Sequence, residues 1–182
     1  RVLFRSLKMP QNNADLGMTI QKCICDKYKL DPSVYAQSQF ESNFNPDYVD
    51  KAKTLISRIF KALGSKPVLC LTLSDAQNSN ERYSPHNFLL STGETLSIRT
   101  NKSNDKICPR VVGQGGINTF NGFFSDIANK IVSDKQEIKE IVVNHIHQMI
   151  PTFVDYLLQS DYTVWISDFD VGEFHIFSRK NY

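Results

Sequence analysis

Cysteine is scarce in this chain and poorly spaced for metal or redox chemistry. The 182 residues hold four, Cys23, Cys25, Cys70 and Cys108, and no two of them form a CxxC pair. That excludes a disulfide scaffold and removes the usual support for a zinc or redox motif. Cys23 and Cys25 stand two apart on an expected helix, so they point in different directions and do not share a metal. Buried intracellular thiols are the expectation. Long apolar runs are missing as well: no segment approaches the roughly 18 residues of a membrane-spanning helix, and no signal-peptide pattern opens the chain. A soluble, cytoplasmic protein with no membrane partner is expected. Charge of one sign is also lacking, because 21 Lys and Arg against 19 Asp and Glu leave a net charge of +2. A basic footprint for nucleic acid must therefore be local rather than global. There is no internal repeat, low-complexity tract or linker. The opening "RVLFRS" fits neither a helix cap nor a strand, and residues 1–10 are expected to be a tag remnant or a disordered end.

What is present is core-forming material. At 41% hydrophobic the chain is long enough to bury one sizeable core, and a single domain over 1–182 is expected. From Asn13 to Lys29, Leu16, Ile20, Cys23 and Ile24 fall at helical spacing, with Asn13 as a candidate cap. A polar loop with Asn, Ser and Pro is expected from Asp31 to Pro46. Next, Val49, Ala52, Leu55, Ile56, Ile59 and Leu63 trace an apolar stripe that Gly64 terminates. "KPVLCLTLS" is short and apolar enough for a buried strand, and a polar turn region over 75–85 precedes a hairpin. After the hairpin, the pattern predicts a Gly-punctuated loop, a helix near Phe123 to Val132, and a long helical stretch from Lys135 to Gln159 that Pro151 should break or kink. Two closing strands, "YTVWIS" and "EFHIFS", complete an α/β pattern.

The hairpin lies in "SPHNFLLSTGETLSIRTNK", Ser84 to Lys102. A three-residue turn, Ser91 to Gly93, with Gly93 at positive φ, pairs Leu90 with Glu94 and Asn87 with Ser97. Alternation then gathers Phe88, Leu90, Leu96 and Ile98 on one face, and Asn87, Leu89, Thr95, Ser97 and Arg99 on the other. A phosphodiester-cleaving site needs an acid at one strand's start, further ligands on the next, and a cation to orient water and offset developing charge. Asn87, Ser97 and Arg99 occupy those places with the wrong charges. On pattern alone, a polar face meeting water is the commoner outcome.

Three blocks in order, "NNADLGMTIQKCIC", "HNFLLSTGETLSIRTNK" and "KICPRVVGQGG", resemble a group of type II restriction endonucleases of the PD-(D/E)xK superfamily. That group carries DLGxxxE on a leading helix, DFxL on one strand, LSxKTN on the next, and then K(I/V)CPQx(I/V)GQ. The resemblance spans residues 12–114. It implies a restriction-endonuclease-like core, a mixed β-sheet flanked by helices, and sequence-specific, magnesium-dependent hydrolysis of double-stranded DNA. The departures fall on the chemistry: the family's glutamate corresponds to Gln21, its strand aspartate to Asn87 and its lysine to Arg99, while Ser97 is the serine usual in the family. The implied reading is a naturally or deliberately silenced enzyme. Gln21 and Asn87 stand at the Mg2+ ligand positions with neutral amides that bind a hard cation weakly, and Arg99 keeps the lysine's charge without its proton exchange.

The resemblance also implies DNA contacts along the loop after the hairpin. Lys102, Lys106 and Arg110 suit phosphates, and Gln114 and Asn118 suit base edges, since an amide can pair bidentately with adenine. Arg110 replaces the family's glutamine. Homodimerisation is the family's habit. Two other classes stay open: a DNA-binding module without nuclease ancestry, and a structural or protein-interaction domain. Glu94 and Asp15 read as a turn residue and a helix-start residue. His145 and His147 read as surface or capping residues, His175 as structural and Trp165 as core. The stripe Ile138, Ile141, Val142, His145, Ile146 and Met149 reads as a core-facing helix that could also serve as a dimer surface.

Overall fold

A computed structural model describes residues 13–72, 86–100 and 117–181. The expected end 1–10 and the polar turn region 75–85 lie outside these residues, as do Cys108, Lys102, Lys106, Arg110 and Gln114. The chain divides into two compact units, residues 1–104 with 160–182, and residues 105–159.

The larger unit is a five-stranded sheet in the order β1-β2-β3-β4-β5, packed against helices. The strands are β1 (Pro67–Cys70), β2 (Phe88–Leu90), β3 (Thr95–Thr100), β4 (Tyr162–Asp168) and β5 (Glu173–Ser178). Pairing is antiparallel except between β3 and β4, which run parallel, so the sheet is mixed. The expected α/β class with a mixed sheet flanked by helices is what the fold shows. The closing strands fall where alternation placed them. β1 is shorter than "KPVLCLTLS" suggested, and a bulge between Pro67 and Leu69 interrupts its pairing with β2.

Three α-helices precede β1 in chain order: α1 (Asn13–Tyr28), α2 (Val34–Ser42) and α3 (Val49–Leu63). α1 and α3 bury the stripes read from the sequence. Leu16, Ile20, Cys23 and Ile24 from α1 join Ala52, Leu55, Ile56 and Ile59 from α3 against Phe88, Leu90, Leu96, Ile98, Val164 and Ile166 of the sheet. Gly64 ends α3 at φ +64°, a left-handed position that glycine adopts without a Cβ penalty. α2 corrects the expected loop at Asp31–Pro46. Ser33 caps it by accepting a hydrogen bond from the Ala36 amide at 3.1 Å. Only Ala36 and Phe40 are buried on it, a stripe too short to announce helical periodicity.

The smaller unit contains α4 (Ile117–Ala128) and α5 (Lys135–Leu157). α4 begins six residues before the expected Phe123, so the Gly-punctuated segment is helical from Ile117 onward. The Asp134 carboxylate caps α5 by accepting from the Gln136 and Glu137 amides. Ile138, Ile141 and Met149 are buried against Phe120 and Phe124, with Val142 and Ile146 packed beside them. The core-facing stripe is therefore real. The expected break at Pro151 is corrected: Pro151 stays within α5, and the departure from helical geometry falls at His145, φ −125° and ψ 15°. A proline's fixed φ suits a helix, and its cost is a missing amide bond rather than an obligatory stop. No helix among the described residues is long and apolar enough to cross a membrane.

Candidate functional site

The hairpin has the expected turn. The Leu90 amide donates to the Glu94 carbonyl and the Gly93 amide to the Leu90 carbonyl, and Gly93 has φ +86°. Phe88 faces Leu96 and Leu89 faces Thr95. The expected placing of Asn87 beside Ser97 and Arg99 is corrected: the Asn87 backbone amide bonds to the Leu96 carbonyl and its side chain reaches Gln21 on α1, whereas Ser97 turns to Thr163 on β4. Phe88, Leu90, Leu96 and Ile98 fill the core, as alternation required.

Asn87, at the start of β2, is held from several sides. Its amide donates to the Leu96 carbonyl at 2.8 Å and its carbonyl accepts from Leu71. Its Oδ1 accepts from the Ile98 amide at 2.6 Å, and its Nδ2 donates to Gln21 Oε1 at 3.2 Å. Gln21 reaches this point because α1 lies close to β3. A Cβ added at Gly17, one turn earlier, would stand 3.2 Å from Thr100 Oγ1. Thr72 completes the cluster: its hydroxyl donates to Gln21 Oε1 at 2.7 Å, lies 3.2 Å from the Asn87 carbonyl and is 3.4 Å from Asn87 Nδ2. All three residues are enclosed, with Gln21 7%, Thr72 4% and Asn87 8% exposed.

The structure thus brings Gln21 and Asn87 together from 66 residues apart. It turns Ser97 elsewhere, with its Oγ 3.1 Å from Thr163 Oγ1 on β4. Arg99 lies on the same face of β3 as Ser97, paired with Trp165. It is half-buried and close enough to His86, the neighbour of Asn87, to act on it. Burial holds the His86 imidazole below its usual pKa, Arg179 and Arg99 reinforce that, and Asp161 opposes it. His86 Nδ1 also contacts Ser160 Oγ at 2.8 Å. Among the described residues, the hydrogen bonds of the Gln21–Asn87 pair run to Thr72, Ile98 and the backbone of Leu71 and Leu96, rather than to Arg99.

Metal fit is decided by the oxygens. Gln21 Oε1 already receives two donors, and Asn87 Oδ1 is committed to a short bond from a buried amide. A divalent cation here would have to displace donors from neutral amide oxygens without a carboxylate to offset its lost hydration. The residues present do not fit Mg2+. Among the described residues no group of three or more His, Cys, Asp or Glu could hold a metal ion.

Sequence reasoning missed Thr72. Its signal was a lone polar residue near the end of the apolar run "VLCLTL". Asn118 is exposed in the first turn of α4. The remaining readings divide. Glu94 is engaged at the turn with Thr92 and Lys180, and Asp15 lies in the first turn of α1. His175 is exposed beside Glu173, and His147 is exposed while His145 is half-buried. Trp165 corrects an expectation: it is half-buried on the sheet face opposite the main core, 5.4 Å from the His175 ring, because its strand position has the parity of Ser97 and not of Ile98.

No family model, curated protein or solved structure matches the chain.

Proposed function

We propose that this chain is a silenced type II restriction endonuclease of the PD-(D/E)xK superfamily, with a restriction-endonuclease-like core that binds double-stranded DNA without cutting it. The observation that supports this reading most is the meeting of Gln21 and Asn87, 3.2 Å apart, beside the hairpin that carries Arg99. These are the two positions at which the family pattern places its acids. Two carboxylates at that separation would repel unless a cation lay between them. Two amides instead satisfy each other, with Nδ2 of one donating to Oε1 of the other.

In an active relative, a magnesium ion at this position would stabilise charge on the phosphate and supply an activated water. Here the amide pair is closed by its own hydrogen bonds, and Arg99 offers fixed positive charge without proton exchange. DNA contact is assigned to the cations after β3, Lys102, Lys106 and Arg110, with Gln114 and Asn118 at base edges.

Restoring the family residues tests this directly. The triple variant Gln21→Glu, Asn87→Asp, Arg99→Lys is expected to nick or linearise plasmid DNA with magnesium and to stop with EDTA, while the parent chain does neither. Magnesium should also raise the melting temperature of the variant and leave that of the parent unchanged, because only the variant binds it. A folded variant that shifts duplex DNA in a gel yet neither cuts nor gains stability from magnesium would refute the nuclease reading. Absence of DNA binding by both chains would favour a structural or protein-interaction role.

A further inference from the structure

The C-terminal ends of α1 and α3 converge on the hairpin turn around an open cleft of about 460 Å³, lined by Lys27, Lys61, Lys66, Ser57, Ser65 and Ser91. Among the described residues, no Asp, Glu or Arg lines it. The ion pairs of the described residues engage Lys22, Lys51, Lys130, Lys180 and His175, and none of the three lysines of the cleft. The fold holds the cluster in place. Gly64 turns the chain out of α3 at φ +64°, and the Ser91 amide donates to the Lys66 carbonyl at 2.8 Å, which ties the start of β1 to the hairpin turn. Ser57 positions Lys27: its oxygen accepts from Lys27 Nζ at 2.7 Å, while its own proton goes to the Lys53 carbonyl at 2.8 Å. The Ser65 and Ser91 hydroxyls lie 3.0 Å apart, so one of their two protons serves the bond between them. The other has a longer contact, 3.4 Å to Thr92 Oγ1, as its alternative to a ligand.

The charges of the cleft are unbalanced. Each helix C-terminus carries about half a negative charge, which accounts for a lysine in the last turn of α1 and of α3 but leaves positive charge in excess once Lys66 joins them. The three lysines together exceed the net charge of +2 of the whole chain. An anion between like charges relieves their repulsion. Lysine is a point charge with three rotatable donors, which suits the tetrahedral oxygens of phosphate, whereas planar carboxylates are better held by an arginine fork. The volume is that of a small-ligand site. One wall is aromatic, since Tyr28 and Phe60 also line the cleft and meet edge-on with ring centroids 5.2 Å apart.

We propose that this cleft binds a diphosphate group, as free pyrophosphate or as the head of a nucleotide, through Lys27, Lys61, Lys66 and the Ser65 and Ser91 hydroxyls. This inference does not rest on the nuclease reading. The cleft lies at the other end of β1 and β2 from the amide pair: Pro67 pairs with Leu90 at the cleft, and Cys70 with Phe88 beside Asn87. On α1, Lys27 follows Gln21 by six residues, about 9 Å along the axis.

Sodium pyrophosphate, added without magnesium at low ionic strength to the nitrogen-15-labelled full-length chain, is expected to move the backbone amide signals of Ser65, Lys66 and Ser91 saturably. Lys61→Gln combined with Lys66→Gln should weaken binding at least about tenfold. Lys139→Gln, which removes one exposed charge from the smaller unit, should change it by less than about twofold. All three lysines are exposed, so the variants should keep the parent's melting temperature. Adenosine 5′-diphosphate separates the two sources. Tighter binding than pyrophosphate, with movement of the Tyr28 ring signals, assigns a nucleotide, and equal binding without that movement assigns the free diphosphate. No saturable shift with pyrophosphate, undiminished affinity in the double variant, or an equal loss in Lys139→Gln would overturn the site. Duplex DNA that moves the same signals and is displaced by pyrophosphate would overturn the assignment to a small ligand.

Discussion

One hydroxyl proton sets the order of the residues around it. Thr72 donates best to Gln21 Oε1, at 2.7 Å, and that bond lets Gln21 face Asn87 with its oxygen rather than its amide nitrogen. Removing the hydroxyl while keeping the shape should loosen the pair at the ordinary cost of a buried hydrogen bond. Thr72→Val is expected to lower unfolding stability in urea by about 1 kcal/mol with an unchanged slope. Asn87→Ala should cost more, about 2–3 kcal/mol, because it leaves the buried Ile98 amide without its acceptor as well. Equal losses for the two would show that the Ile98 bond contributes little. At this scale the sequence was partly legible. Gln21 and Asn87 were found as substituted positions of a pattern. Thr72 was not, since nothing in a run of apolar residues says which neighbour a single hydroxyl will meet across 51 residues of chain.

At the scale of elements, the site depends on how close α1 comes to β3. Gly17 permits that approach, with Thr100 Oγ1 only 3.2 Å from where a Cβ would sit. Gly17→Val should push the helix outward and separate Gln21 from Asn87. The expected result is a loss of about 1–3 kcal/mol in stability, typical of overpacking, together with a shift of the Asn87 side-chain amide signal toward that of Gln21→Ala. An unchanged signal would mean that α1 yields elsewhere. The strong elements were readable from their patterns: α3 shows six apolar positions in one stripe, and the hairpin sets Phe88, Leu90, Leu96 and Ile98 at alternate positions around a glycine turn. α2 was not, because two buried residues and a Ser33 cap make a helix only when a core is waiting for Phe40. The irregularity at His145 was equally hidden, since Pro151 drew attention to a different turn of α5.

At the scale of the whole molecule, a net charge of +2 leaves little long-range attraction for DNA. Binding should then rest on a few cations, and salt should report their number. If Lys102, Lys106 and Arg110 each neutralise one phosphate, the logarithm of affinity should fall with the logarithm of salt at a slope of about −2.7. Magnesium should act on the parent chain only as a competing salt. Gel-shift titrations across salt concentrations check both points. A slope that is unchanged after replacing the three cations with glutamine would remove them from the interface.

The linear order of residues by itself determined the α/β class, the faces of α1 and α3, the turn at Gly93 and the apolar face of the hairpin made by Phe88, Leu90, Leu96 and Ile98. Each follows from a local repeat of 3.6 or two residues and from the backbone freedom of glycine. Tertiary structure alone decided that Gln21 meets Asn87, that Thr72 joins them, and that Ser97 turns to Thr163. Those contacts join segments far apart in the chain, and their geometry is set by the packing of a helix on a sheet, which no local periodicity encodes.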